Sequence, residues 1–534
     1  MVFVLHQHKN HYEKLKRYYA TAGQKSLLPA TVLLSRRQGD FMMFRRVQLV
    51  SILLLIAFFS NTISVKAQEP IEELRGFWVD AINPGLKSPA EIDELVDNVA
   101  RANANTIFAE VRRHGDALYN NTIEPRALGL APAETFDPLG YLLEKAHARG
   151  ISVHAWLVIT VACPNKEPLR NHPQHVCASH GPRTPDPARW TTATYRGTQV
   201  GDLDFGHPAA IQYMEGIVQH LVRSYPSIDG VHYDFIRYSG QDYGYNAISL
   251  ARFRAANALP PNYKPSPTDP LWSQWRRDRI TELVRRLYVR IKAANPQMQV
   301  SAATITWGGV GSYTPEDWPN SAAYSRVFQD WRSWLQEGII DFAVPMHYFA
   351  EADGKTRAWY DGWLSWDRAN TGRRAIVPGT GAWLNNPQQG IAQIQRAQSA
   401  DANGTRLSGV TLFSYHGPIS SSNAQWRREF MDMLRGSVFA TPAQPPRWPW
   451  IANPTTGHIQ GMAAVEGKIV PDAHITLFRD GIWAREFTAS SDGWYGAVEL
   501  EPGNYTVVVR RPTDGATAQI EGLAVRPGQV TSGP

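Results

Sequence analysis

Cysteine is almost absent from this sequence: Cys163 and Cys177 are the two among 534 residues. No C-x₂-C or H-x₃-H spacing accompanies them, so the usual zinc signatures are missing although His172, His175 and His180 lie nearby. In an oxidising compartment two cysteines fourteen positions apart are expected to bond to each other; the alternative is a pair of free thiols. No G-x-G-x-x-G follows the first strand-like run, which argues against a dinucleotide fold. No G-x-S-x-G and no Ser/His/Asp order suggest a hydrolase triad. Charge is also sparse, at 19% of residues, against 18 Trp, which is the composition of a packed chain rather than a disordered one.

The formal charge of +6 suggests a polyanion partner at first sight. Ten Lys and Arg fall within residues 1–67 against Glu13 and Asp40, a surplus of +8 that leaves −2 for the rest. The basic balance belongs to the leader, and nucleic acid loses its support as a partner. That leader reads as an export signal. Arg45 and Arg46 precede the apolar run Leu49–Phe59, and Val65-Lys66-Ala67 offers a cleavage site. The run is well short of the ~20 residues a membrane span needs, so no stable insertion is expected after cleavage, with a retained anchor as the alternative. Met42 or Met43 is a possible true start. The expected location is outside the cytoplasm, periplasmic or secreted.

Beyond the leader, strand-like runs and helical patterns alternate. Strands are expected near residues 77, 107, 154, 231, 302, 344, 377 and 411. Helices are expected at 88–99, 137–149, 207–225, 272–294, 322–337, 390–400 and 423–434. Ser88-Pro89-Ala90-Glu91 carries an N-cap, a proline at the first helical position and a capping-box acid. Eight alternations indicate an α/β fold: a (β/α)₈ barrel over 70–438 with long loops after its strands. Thr441–Pro454 contains five prolines and reads as a stiff linker. Residues 455–534 alternate in short runs between turns, the pattern of a small β-sandwich.

The ends of the barrel strands collect unusual side chains. Trp78 and Asp80 belong to the first strand, Glu110 and Arg112 to the second, and His154 and Trp156 to the third. His232, Asp234 and the following Arg237 mark the fourth, and Trp307 the fifth. His347 and Tyr348 close the sixth, Trp383 follows the seventh, and Tyr415 and His416 end the eighth. No Lys lies in any of these strands, which disfavours Schiff-base chemistry. Carboxylates among Trp, Tyr, His and Arg suit sugars, whose C–H faces stack on aromatic rings while their hydroxyls bond the polar groups. Cleaving a glycosidic bond needs two carboxyl groups in complementary roles. No cofactor and no metal are implied.

Three motifs carry a resemblance: Arg75-Gly76-Phe77-Trp78, Asn105–Arg112 followed by Gly115-Asp116-Ala117-Leu118-Tyr119, and Asp229–Tyr238. Over roughly residues 70–435 the chain resembles the glycosyl-hydrolase-like family 10. This is a group of exported bacterial barrels associated with cleaving peptidoglycan glycan strands. The resemblance implies a barrel glycosidase acting on wall glycan or a related polysaccharide. The C-terminal region resembles carboxypeptidase-regulatory-like or prealbumin-like sandwiches through Val470–Ile475, Ser491–Tyr495 and Pro502–Tyr505. The chain departs from the family pattern at Glu110, where Gln is expected, at Arg113, where Pro is expected, and at Phe235, where a second acid often stands.

Asp234 is therefore expected as nucleophile or base and Glu110 as general acid, with Asp80, Glu316, Asp317, Glu351 and Asp353 as rivals for the second role. Trp78, Asp80, Arg112, Trp156, His232, Arg237, Trp307, His347, Tyr348, Trp383 and His416 are expected to bind substrate. The alternative is a barrel that binds wall carbohydrate without cutting it.

Overall fold

The computed structural model describes residues 71–164, 168–417 and 424–533; the expected leader lies outside them. Eight parallel strands close into a barrel. They are β1 Leu74–Val79, β2 Thr106–Arg112, β3 Ser152–Val158, β4 Gly230–Asp234, β5 Gln299–Thr304, β6 Phe342–His347, β7 in two pieces (Ala375–Ile376 and Gly379–Gly381) and β8 Gly409–Phe413. β8 pairs with β1, and β5 pairs with β6, which completes the ring. All eight expected strands are present. Their apolar runs are continuous because helices cover the outer face and side chains fill the inner one.

The interior is packed by interlocking large and small residues. Trp78 fills the space left at Gly379, where a Cβ would lie 2.6 Å from its ring. His154 does the same at Gly230, at 2.3 Å. Phe108 lies 4.6 Å from the His232 ring and 5.0 Å from that of His154, centroid to centroid.

The helices that follow the strands are α1 Pro89–Arg101, α2 Pro138–His147, α3 Pro208–Ser224, α4 Pro270–Ala294, α5 Trp331–Glu337, α6 Gly354–Asn370, α7 Pro387–Gln398 and α8 Ala424–Arg435. None of the described helices is long and apolar enough to cross a membrane. Ser88 caps α1 by accepting from the Glu91 N–H. Glu91, however, accepts from the N–H groups of Gly85 and Lys87, so it organises the preceding loop rather than closing a capping box.

Two expectations need correction. The helix expected over 322–337 is broken into Ala322–Arg326 and α5, because Phe328 sits at φ +56°. The break turns buried Gln329 inward, where it accepts from Ile305 N–H and donates to the Ala303 carbonyl, satisfying the end of β5. Gly354–Asn370, unassigned in the sequence reading, forms α6. Its Tyr360, Trp363, Leu364 and Asp367 nevertheless fall on one buried helical face.

The proline-rich segment is packed rather than free. Ala443–Gln444 pairs with Ile71–Glu72. Trp448 lies 5.4 Å from the Phe342 ring and donates to Gln299, while Trp450 donates to Asp341, so this stretch closes the N-terminal mouth of the barrel. The C-terminal β-sheets share their own apolar core around Ile475, Leu477, Tyr495 and Val507. They dock on α3 and α4, where Arg286 donates to both Asp492 oxygens at 2.9 and 2.8 Å and to Glu215 at 2.6 Å.

Cys163 and Cys177 form the expected disulfide, buried, with their Cα atoms 5.5 Å apart. It ties the insertion after β3 to itself. Replacing both cysteines by Ser should cost about 3 kcal/mol, the closure entropy of a loop this size, and denaturant unfolding of the two chains measures it.

Candidate active site

The C-terminal ends of β1 to β4 bring two carboxyl groups into one water-poor cluster. Glu110 is 4% exposed, and Oε2 accepts from the Ala81 N–H at 2.7 Å. Burial pushes its carboxyl from 4.5 up to about 8, with the nearby charges of Asp80 and Asp234 adding to the rise. Arg113 and the Ala81 N–H oppose it. Glu110 therefore carries its proton at neutral pH.

Asp234 ends β4. Burial raises its pKa too, but Arg237 and the Phe235 N–H favour its charged form. Trp156 turns its indole N–H toward Asp234, close enough to favour the anion but outside hydrogen-bonding geometry. A protonated acid beside a carboxylate held by a cation is the separation of roles that acid/base chemistry requires.

The turn after Asp234 shapes the rest of the cleft. Phe235, directly after Asp234, adopts φ +50°, a strained backbone for a bulky residue. The turn lays the Arg237 guanidinium 4.3 Å from the Phe235 ring and 5.4 Å from that of Trp307. Arg237 Nε is buried with no hydrogen-bond partner among the described residues. Trp307 is 49% exposed and presents the open aromatic face. Tyr348 lies 5.3 Å from the Phe413 ring, and burial raises its pKa, with the charge of Asp234 adding to the rise.

Several expected binding residues are used for other purposes. Trp78 and His232 are 1% and 0% exposed and bond to each other, indole N–H to Nε2, at 3.0 Å. The other His232 nitrogen meets Ser301 at 2.9 Å, so the pair forms a layer beneath the cleft and offers no face to a sugar. Burial holds His232 well below its ordinary pKa, hence neutral.

Arg112 points away from the barrel interior. The register of β2 against β3 shifts between Glu110 and Arg112, and such an irregularity reverses the alternation of side chains. Arg112 consequently meets Glu124 through two bonds of 2.7 and 2.8 Å, both side chains fully buried. His347 likewise faces α6, bonding Asp367 at 2.7 Å and Thr306 at 3.2 Å. Arg112→Met should strand the Glu124 charge and cost about 3–5 kcal/mol of stability, read by thermal or urea unfolding. A substrate-binding Arg112 would instead lose affinity at unchanged stability.

Asp80 holds its own turn, accepting from the N–H groups of Ile82 and Asn83 and from the Asn83 side chain. His416 bonds the Pro84 carbonyl near Asp80. Trp383 sits half-buried in the short 3₁₀ turn Ala382–Leu384 after β7.

The rival acids have other work. Glu316 and Asp317 are on the exposed turn Pro315–Asn320, and Asp317 accepts from Ser312. Glu351 pairs with Arg396 and Arg357, and Asp353 caps α6. Among the expected acids Glu110 is the least exposed, at 4% against 8% for Asp80, and it feels the charge of Asp234.

Sequence reasoning missed Asp202, a buried carboxyl on the hairpin Thr191–Ala193/Gln199–Leu203 in the insertion after β3. It accepts from Ser239, and together with Asp234 it opposes the lowering that burial imposes on the Arg237 guanidinium, so that cation feels two carboxyls. The nearest signal was its place in an insertion overhanging the strand ends.

Comparison with known proteins gives the chain a family. A family model described as Glycosyl hydrolase-like 10 matches residues 73–373. Glycosyl hydrolase DigH of Escherichia coli K12 is 26% identical over 337 residues, covering 56% of this chain and 70% of that protein. Glycosyl hydrolase YngK of Bacillus subtilis strain 168 is 24% identical over 424 residues, covering 71% and 74%. The PgaB (BpsB) glycoside hydrolase domain from Bordetella bronchiseptica aligns over 68% of this chain and 99% of its own, at 14% identity and a TM-score of 0.46. With a family match over most of the barrel, this chain belongs to the Glycosyl hydrolase-like 10 family.

Proposed function

We propose that the chain is a glycoside hydrolase that cuts the glycan strands of bacterial peptidoglycan, or a closely related polysaccharide, after export from the cytoplasm. The observation that carries this reading is the pairing of Glu110, protonated up to about pH 8, with Asp234, whose anion Arg237 supports. Glu110 would give its proton to the glycosidic oxygen as the C1–O bond breaks. Asp234 would attack C1 or take a proton from the incoming water, and the water oxygen would end on C1. Trp307 offers a stacking face for a ring, and Arg237 a donor for sugar hydroxyls. The names of DigH and YngK support the reaction class.

The test is digestion of intact and peptide-free peptidoglycan by the purified chain, with mass analysis of the soluble products. Shortened glycans with new reducing ends support the reading. Retention on the polymer without shortening would favour a binding barrel instead.

A further inference from the structure

A cavity of about 330 Å³ opens between the loops that carry Ala81 and Arg113. That is at the small end of ligand pockets, which run roughly 300–1,000 Å³. Three loops build it: Ala81 and Lys87 come from the segment after β1, Arg113, Asp116, Leu128 and Leu130 from the one after β2, and Leu169 from the insertion after β3. Ala81 is also the residue whose N–H holds Glu110, so the cavity and the acid share a wall.

The lining has two characters. Leu128, 60% exposed, and Leu130 form an apolar side, while Lys87 and Arg113 supply positive charge. The Arg113 guanidinium forms no ion pair among the described residues, and Glu110 feels it as a nearby positive charge. Lys87 donates one proton to the Ile82 carbonyl at 2.9 Å. Asp116 is the opposing charge, but its Oδ1 turns into the loop, accepting from the N–H groups of Arg113 and His114 at 3.3 and 3.0 Å. Glu110 itself is uncharged at neutral pH and does not repel an anion.

We propose that this cavity is a subsite for a sugar residue carrying a carboxylate. The C–H face of the sugar would lie against Leu128 and Leu130, and its carboxylate would meet Arg113 with Lys87 as second cation. The proposal rests on the glycosidase reading of the adjoining pair. It concerns this chain in particular, since Arg113 stands where the family resemblance leads one to expect proline. Hydrogen bonds to charged groups contribute about 1.5–3 kcal/mol, and this converts to a preference of roughly 10- to 100-fold for the acidic sugar over a neutral analogue.

The experiment uses peptide-free peptidoglycan strands with their carboxylates free, and the same strands with those groups converted to primary amides. Binding is measured by calorimetry and cleavage separately, for the wild type, Arg113→Gln and Lys87→Gln, each checked by its melting curve. The wild type should bind the acidic strands roughly 10-fold or more tightly than the amidated ones. Arg113→Gln should bring that ratio close to one, and Lys87→Gln should reduce it in part. Equal binding of both strands by the wild type, or a ratio untouched by Arg113→Gln, overturns the subsite. If the acid preference depends on Arg113 but neither strand is cut, the subsite stands and the glycosidase reading falls. If both strands are cut and bound alike, the reverse holds.

Discussion

Asp234→Asn should lower kcat/KM on a cleaved glycan by about 10²–10⁴-fold while leaving the melting temperature at or above that of the wild type. Asn keeps the shape of the side chain and the acceptor for the Phe235 N–H at 2.6 Å. It removes the charge that, in the proposed reaction, attacks C1 or activates water. Because burial already disfavours that charge, its loss does not weaken the fold by itself. Unaltered activity in this variant would remove Asp234 from the chemistry. A drop in activity accompanied by a comparable drop in stability would point to a structural role.

Glu110→Gln should show two effects of opposite sign. Activity should fall by about 10²–10⁴-fold, because Gln has no proton to give the leaving oxygen. Stability at alkaline pH should rise. Between pH 4.5 and 8 the folded chain holds a proton on Glu110 that the unfolded chain has released, so wild-type stability falls as pH rises across this window. Gln removes that penalty, which is on the order of a few kcal/mol above pH 8. Melting curves at pH 5 and pH 9 should therefore converge in the variant relative to the wild type. In the wild type, activity should decline as pH rises through about 8, where Glu110 loses its proton. A pH–rate profile that stays flat to pH 10 contradicts the assignment.

The barrel was legible in the sequence because its strands are short apolar runs cut off by polar residues, and all but the sixth are followed by a recognisable helical pattern. Asp234 was legible because Val231 and Tyr233 fix β4 and a charge ends it. Depth was not legible. Alternation places Trp78 and His232 inside the ring, but it does not say whether they line the cleft or fill the layer beneath it. Trp78 could reach the lower position because Gly379, on a strand three hundred residues away, leaves room for it. Arg112 was misplaced for a different reason: the irregularity after Glu110 reverses the facing of one residue, and no local residue type announces it. Asp202 belongs to a hairpin whose position depends on contacts across the insertion, among them Cys163 N–H to the Gly201 carbonyl at 2.8 Å. The raised pKa of Glu110 was not legible either, since it comes from burial that only the folded chain creates.

The most direct measurement is digestion of peptide-free glycan strands in ¹⁸O-water, with mass analysis of the freshly released ends. Paired-carboxyl hydrolysis predicts shortened strands that carry one heavy oxygen at the new anomeric carbon, formed by the wild type and not by Asp234→Asn. Strands of unchanged length, or shortened strands without the label, would contradict it.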